Sequence, residues 1–242
     1  MHAIKTEGLT KRYGDILAVD SLTLTVNTGE IFSLLGINGA GKTTTIKLLS
    51  CLTAPTEGDA FLLGKSIKTE SAEVKKLIAV SPQETAVAAG LTVKENLELI
   101  CGIYSFGKEK TVKKINELTN LLSLGSVLSR KAGKLSGGWQ RRLSIAMALI
   151  SEPKILFLDE PTLGLDVIAR SELWDIIRCL KGKTTVILTT HYMEEAEALS
   201  DRIAIMKDGA LLTCDTPDNI KAKTGESSIE KAFIKIIKEA GK

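Results

Sequence analysis

Gly36-Ile37-Asn38-Gly39-Ala40-Gly41-Lys42-Thr43 is the stretch that decides the fold. It satisfies the phosphate-loop pattern G-x-x-x-x-G-K-[ST] in full. Before it, Glu30-Ile31-Phe32-Ser33-Leu34-Leu35 is a mostly apolar run that ends in glycine, as a buried central strand does. After it, Thr43 to Leu52 has helical spacing with Ile46, Leu48, Leu49 and Leu52 inward. Glycines let the backbone curl so that amide N–H groups point at phosphate oxygens. The following helix N-terminus adds positive partial charge. Lys42 is therefore expected at the β- and γ-phosphates of a nucleotide and the Thr43 hydroxyl on Mg²⁺. Gly36, Asn38, Gly39, Ala40, Gly41 and Thr44 complete the nucleotide-binding set. A glycine-rich turn with a chance lysine is the competing explanation, and the flanking strand and helix speak against it.

Working outward, Ile155-Leu156-Phe157-Leu158-Asp159-Glu160 is an apolar strand that delivers two carboxylates at its C-terminal end. Open parallel sheets bind ligands at that end. Asp159 suits the outer side of a Mg²⁺ site, and Glu160 suits the polarisation of an attacking water. An acidic pair capping the turn before Pro161 is the bland alternative; the upstream phosphate loop favours nucleotide hydrolysis.

Ala3 to Thr10 and Leu22 to Val26 alternate like strands, and Asn27-Thr28-Gly29 follows as a turn. Pro55-Thr56-Glu57-Gly58 is another turn. From about Thr92 to Ala148 the chain is mostly helical: Val93, Leu97 and Ile100 keep one stripe, and Val112, Ile115, Leu118, Leu121 and Leu122 keep another. Strand patterns return at Thr184 to Thr189 and Arg202 to Met206. Between the acidic strand and the first of these, Ala169 to Leu180 reads as a helix with Leu173, Trp174, Ile176, Ile177 and Leu180 apolar. Strands alternating with helices on both sides of an insertion predict an α/β core with a parallel sheet and a helical subdomain at about Ser81 to Ser151. At the tail, Ile229, Ala232, Phe233, Ile236 and Ile237 lie at helical spacing with Lys and Glu opposite. Packing of that helix on its own domain is expected over partner docking.

Composition narrows the function. At 242 residues the chain is long enough for a real core, and 44% hydrophobic with 25% charged residues excludes disorder. No apolar run approaches the roughly 18 residues of a membrane span, and no secretory segment is visible at the start. A net charge of +3 and 4% aromatics give no footprint for nucleic acid, so no nucleic-acid partner is expected. Cys51, Cys101, Cys179 and Cys214 lack metal-ligand spacing and read as buried, reduced thiols. Two histidines leave no His-rich metal site.

Leu135-Ser136-Gly137-Gly138-Trp139-Gln140-Arg141-Arg142 resembles the signature of ATP-binding-cassette (ABC) ATPases. With the phosphate loop and acidic strand in this order, the resemblance runs from about Ile4 to Pro217. It implies a P-loop NTPase (RecA-like) α/β core with a parallel sheet, an N-terminal antiparallel β-subdomain and an inserted α-helical subdomain. The implied division is an ATPase domain over 1–225 and a C-terminal amphipathic helix over 226–242. The core then takes 1–80 and 152–225, with the helical part at about 81–151. It further implies that Tyr13 stacks on adenine and that Gln83 contacts Mg²⁺ and the attacking water in a loop facing a membrane partner. Asp166 matches the loop after the acidic strand, and His191 matches the switch histidine on the γ-phosphate. Glu160, His191 and Gln83 would form the catalytic group, and Thr43, Gln83 and Asp159 would hold Mg²⁺.

Ser136 with the amides of Gly137 and Gly138 opens a helix near Trp139, and such a terminus binds anions. In ABC ATPases that anion is the γ-phosphate held by the opposite subunit. The resemblance thus implies a head-to-tail homo- or heterodimer with two ATP molecules between its members. It also implies a separate multi-span permease subunit, and a place on the cytoplasmic, inner face of the cell membrane. Trp139 departs from the family's usual glutamine; an exposed indole at the subunit seam is the expectation. The tail Ser228-Ile229-Glu230-Lys231-Ala232-Phe233 resembles the end of stand-alone ATPases of type-2 exporters, which points to export of sodium ions or of drugs and antibiotics. A non-transport ABC ATPase, such as one for cluster assembly, is the alternative.

Overall fold

A computed structural model describes residues 2–240. The N-terminal part is antiparallel: β1 (His2–Tyr13), β2 (Ile16–Leu22) and β3 (Thr25–Asn27) are followed by β4 (Ile31–Gly36) and α1 (Lys42–Leu49). Next come β5 (Glu57–Leu62), β6 (Lys65–Ser66), α2 (Ser71–Leu77) and β7 (Ile78–Ser81). Three helices, α3 (Val93–Ile103), α4 (Lys108–Leu121) and α5 (Gly137–Leu149), then precede β8 (Ile155–Asp159). The last part holds α6 (Val167–Arg178), β9 (Thr185–Thr190), α7 (Met193–Leu199), β10 (Arg202–Lys207), β11 (Ala210–Asp215), α8 (Pro217–Thr224) and α9 (Ile229–Glu239).

The central sheet has the order β11-β10-β4-β9-β8-β7. All its pairings are parallel except the edge pair of β10 with β11. Parallel strands covered on both faces need apolar residues on both, and the sequence supplies them. Ile31, Leu156, Leu158, Val186 and Leu188 join the core beneath α3–α6. Their neighbours Phe32, Ile155, Phe157 and Ile187 point the opposite way, into the core shared with α1 and the second sheet. That second sheet is antiparallel, with β1 pairing β2 and β3 along one edge and β5 along the other. The period of two along each strand is thus what joins the layers.

Helix ends follow local chemistry. Thr92 and Glu95 form a reciprocal capping box on α3. Asp166 caps α6 by accepting from the Ala169 N–H at 2.8 Å, and Thr216 with Pro217 opens α8. At the tail, Ile229, Ala232 and Phe233 of α9 are buried against Leu35, Ala196, Ile203, Ile205 and Ile220. The helix therefore packs on its own chain.

Some details differ from the sequence-based expectation. The expected strand Leu22 to Val26 is broken between β2 and β3, where the Leu24 N–H donates to Thr6 Oγ1 at 2.9 Å. Leu52 is 67% exposed, because α1 ends at Leu49 and Cys51 turns to a positive φ of 56°. Val112 is exposed, since α4 buries residues only from Lys114 onward. α5 starts at Gly137, two residues ahead of Trp139. The four cysteines are free, but only Cys101 is buried; Cys51 and Cys214 are half-buried and Cys179, capping the end of α6, is exposed. Among the described residues no helix is long and apolar enough to cross a membrane.

Candidate active site

The loop between β4 and α1 can take its shape only with glycines. Gly41 has φ 97°, and a Cβ there would lie 2.4 Å from the Ala18 carbonyl oxygen. A Cβ on Gly36 would meet the Met206 carbonyl oxygen at 2.6 Å, so the loop lies directly on β10. The curled loop holds Lys42 inward: its Nζ donates to Gly36 O at 2.8 Å and Ile37 O at 3.3 Å. Nζ also lies 3.7 Å from Glu160 Oε1. Burial lowers the Lys42 pKa, while the carboxylates of Glu160 and Asp159 pull it back up. An arriving phosphate adds negative charge that favours the ammonium further.

β8 ends beside this loop. Asp159 and Glu160 are both buried. Asp159 Oδ1 accepts from Thr43 Oγ1 at 3.2 Å and from Thr189 Oγ1 at 2.5 Å. Thr189 Oγ1 also accepts from the Glu160 N–H at 3.0 Å, so one hydroxyl on β9 holds the Asp159 carboxylate and the Glu160 backbone. Glu160 has a left-handed φ of 49°. For a residue other than glycine that backbone costs about 1–3 kcal/mol and concentrates at functional sites. Two residues beyond Thr189, His191 Nδ1 meets Glu160 Oε2 at 2.8 Å.

Of these groups Lys42, Thr43, Glu160 and His191 line one cleft of about 750 Å³, and Gly36, Asp159 and Thr189 are not part of its lining. Asn38 to Thr44, Gln83, Glu160 and His191 line it, together with Ala18 and Asp208. Thr43, Asp159 and Gln83 offer a hydroxyl, a carboxylate and an amide oxygen. That all-oxygen set fits Mg²⁺, which commonly takes one or two carboxylates plus substrate phosphates. Tyr13 is half-exposed at the end of β1, paired with the cleft residue Ile16 and carrying Lys11 Nζ 4.9 Å from its ring centre. It stands at the rim and does not line the cleft.

The signature stretch sits elsewhere. Ser136 caps α5 with no side-chain bond to the helix, and neither it nor Gly137 or Gly138 lines the cleft. A Cβ on Gly138 would lie 3.3 Å from the Ala169 Cβ, which brings the start of α5 close to α6 and to exposed Asp166. Trp139 is half-buried against the core beneath α3–α6, with the Arg142 guanidinium carbon 4.8 Å from its ring centre. The indole is half-buried rather than exposed, because Trp139 packs in part on its own chain.

Two participants escape the sequence reasoning. Thr189 sits on a β-branched strand where threonine reads as a strand former, and only its place two residues before His191 marks it. Arg141 lies inside the quoted signature; it is buried and donates to Gln83 O and, at 2.6 Å, to Pro82 O. It ties the signature helix to the Gln83 loop.

Comparison with known proteins places this geometry. Residues 19–163 match the ABC transporter family. The daunorubicin resistance ATP-binding protein DrrA2 of Streptomyces coeruleorubidus is 40% identical over 230 residues, covering 95% of this chain and 71% of that protein. The probable multidrug ABC transporter ATP-binding protein YbhF of Escherichia coli is 39% identical over 97% of this chain, which spans only 41% of YbhF. Among solved structures, the dimeric bacterial ABC transporter cassette MJ0796 superposes with a TM-score of 0.79 at 29% identity, over 88% of this chain and 98% of that one. The fold, the cleft and these matches together show that the chain belongs to the ABC transporter family, as an ATP-binding cassette.

Proposed function

We propose that this cassette hydrolyses ATP to ADP and phosphate to drive a separate membrane permease. One observation carries the reading: Lys42, Glu160 and His191 form a connected series across the cleft, at 3.7 Å and 2.8 Å, beside the Thr43–Asp159 pair. The loop amides and Lys42 hold the β- and γ-phosphates. Thr43, Asp159 and Gln83 hold Mg²⁺, which when bound neutralises phosphate charge. Glu160 orients the attacking water and accepts its proton. Because Glu160 occupies His191 Nδ1, Nε2 is the nitrogen left for the γ-phosphate. Tyr13 at the rim stacks on the adenine.

Ser136, Gly137 and Gly138 lie outside their own cleft and serve the opposite one. Two cassettes therefore meet head to tail with ATP between them, Asp166 at the seam; the dimeric MJ0796 cassette supports this pairing. Since the chain carries both a phosphate loop and a signature, two copies suffice. We assign the core to 1–80 and 152–225, the helical subdomain to 81–151 and the tail to 226–242, within which α9 is Ile229–Glu239 and residues 241 and 242 lie outside the described residues.

The permease would dock in a second groove of about 430 Å³, which includes Leu52, Pro82, Ala86, Ile103, Tyr104 and Met147. Leu52, Ile103 and Tyr104 are exposed apolar side chains at the Gln83 loop. A permease there holds the cassette at the inner face of the membrane. The resistance proteins among its relatives favour export, and drugs or antibiotics over sodium ions, as the cargo. They also disfavour a role unconnected with transport. The test is a pull-down of the tagged chain from detergent-solubilised native membranes, read by mass spectrometry. Stoichiometric recovery of a multi-span protein is expected; soluble partners alone would remove the transport claim.

A further inference from the structure

α6 presents two side chains one helical turn apart, Arg170 and Trp174, to the segment that follows His191. The Arg170 guanidinium carbon lies 4.8 Å from the centre of the Tyr192 ring. The Tyr192 ring lies 4.2 Å, centroid to centroid, from the His191 imidazole and is tilted by 40°. One turn further, Trp174 Nε1 donates to Oε1 of the fully buried Glu195 at 3.1 Å. The Tyr192 N–H donates to Thr190 Oγ1 at 2.9 Å, which fixes the backbone where the ring departs. A continuous series thus runs from α6 through Tyr192 and His191 to Glu160. The His191 side chain is 34% exposed, so the strand end alone does not enclose it. A ring contact from the side is what selects one rotamer there.

We propose that Tyr192, backed by Arg170, is a positioning residue that holds the His191 imidazole in register with Glu160. The inference rests on the reading of His191 as the group that meets the γ-phosphate. It adds that α6, whose first residues adjoin the signature glycines, sets the orientation of that histidine. Trp174 and Glu195 anchor the start of α7 to the same helix and keep the Tyr192 ring over its target.

The experiment is single-turnover ATP hydrolysis with the full chain in excess, alongside equilibrium ATP binding. Tyr192→Ala is expected to slow hydrolysis by about tenfold, the scale of a lost ring stack, with ATP affinity within about twofold of the parent. Tyr192→Phe, which keeps the ring, restores most of the rate. Arg170→Met slows it severalfold and gives a second handle should Tyr192→Ala fold poorly. In a His191→Ala background, Tyr192→Ala has no further effect, because the residue acts through that imidazole. A full additional loss in that background, or a parental rate in both Tyr192→Ala and Arg170→Met, overturns the inference while leaving His191 its role. A parental rate in His191→Ala removes the role of His191, and this inference with it.

Discussion

Lys42 shows how much of the site rests on single residues. It is buried, its burial lowers its pKa, and the loop carbonyls and Glu160 hold its ammonium in place. Lys42→Ala removes the cation but keeps the glycine-shaped loop, so the variant is expected to fold and to lose ATP binding. Calorimetric titration with ATP checks this, and parental affinity would refute the assignment. Arg141 acts one step away. Replacing it with methionine fills the space but leaves the Pro82 and Gln83 carbonyls without their donor. A stability loss of about 1–3 kcal/mol in urea unfolding is expected, together with faster proteolysis within the 82–90 loop. The sequence states Lys42, Asp159 and Glu160 plainly, because their motifs fix residue type and spacing, and it yields His191 only through the family resemblance. It hides Thr189 and Arg141, because a strand threonine and a helix arginine carry no mark until tertiary contacts give them partners.

At the scale of elements, the apolar and β-branched runs of β4, β8 and β9 are legible because each strand must feed two cores. β7, α2 and α7 are short, and their few apolar residues give too little periodicity to stand out. The break between β2 and β3 is set by a side chain of β1, Thr6, which no local pattern announces. The β11–α8 junction carries a pH dependence of its own. Asp215 accepts from Lys223, Asn219 and the Thr216 N–H, and these bonds lower its pKa from 3.8 to about 2. A depressed carboxyl pKa gives stability that is fully present above the unfolded value and is lost as pH falls through the folded one. Between pH 4 and pH 2 the parent is therefore expected to lose melting temperature that Asp215→Asn does not lose. Parallel melting curves for the two proteins over that range would contradict the link.

At the scale of the whole molecule, Ser136 stands outside its own cleft, and the proposed head-to-tail pairing would bring it into the site of a second chain. With ATP present, Glu160→Gln is expected to elute at twice the monomer mass and the nucleotide-free protein as a monomer. Adding Ser136→Arg to Glu160→Gln should return it to monomer by placing a bulky side chain at the signature. An ATP-loaded monomer of Glu160→Gln would argue against the head-to-tail pairing. Hydrolysis of ATP in this cleft, with Glu160 acting on the water, is tested most simply at Glu160 itself. Steady-state phosphate release is measured for the parent and for Glu160→Gln, with ATP affinity measured on both. A fall of about 10²- to 10⁴-fold in turnover is expected, with ATP binding retained. Parental turnover in Glu160→Gln would contradict it.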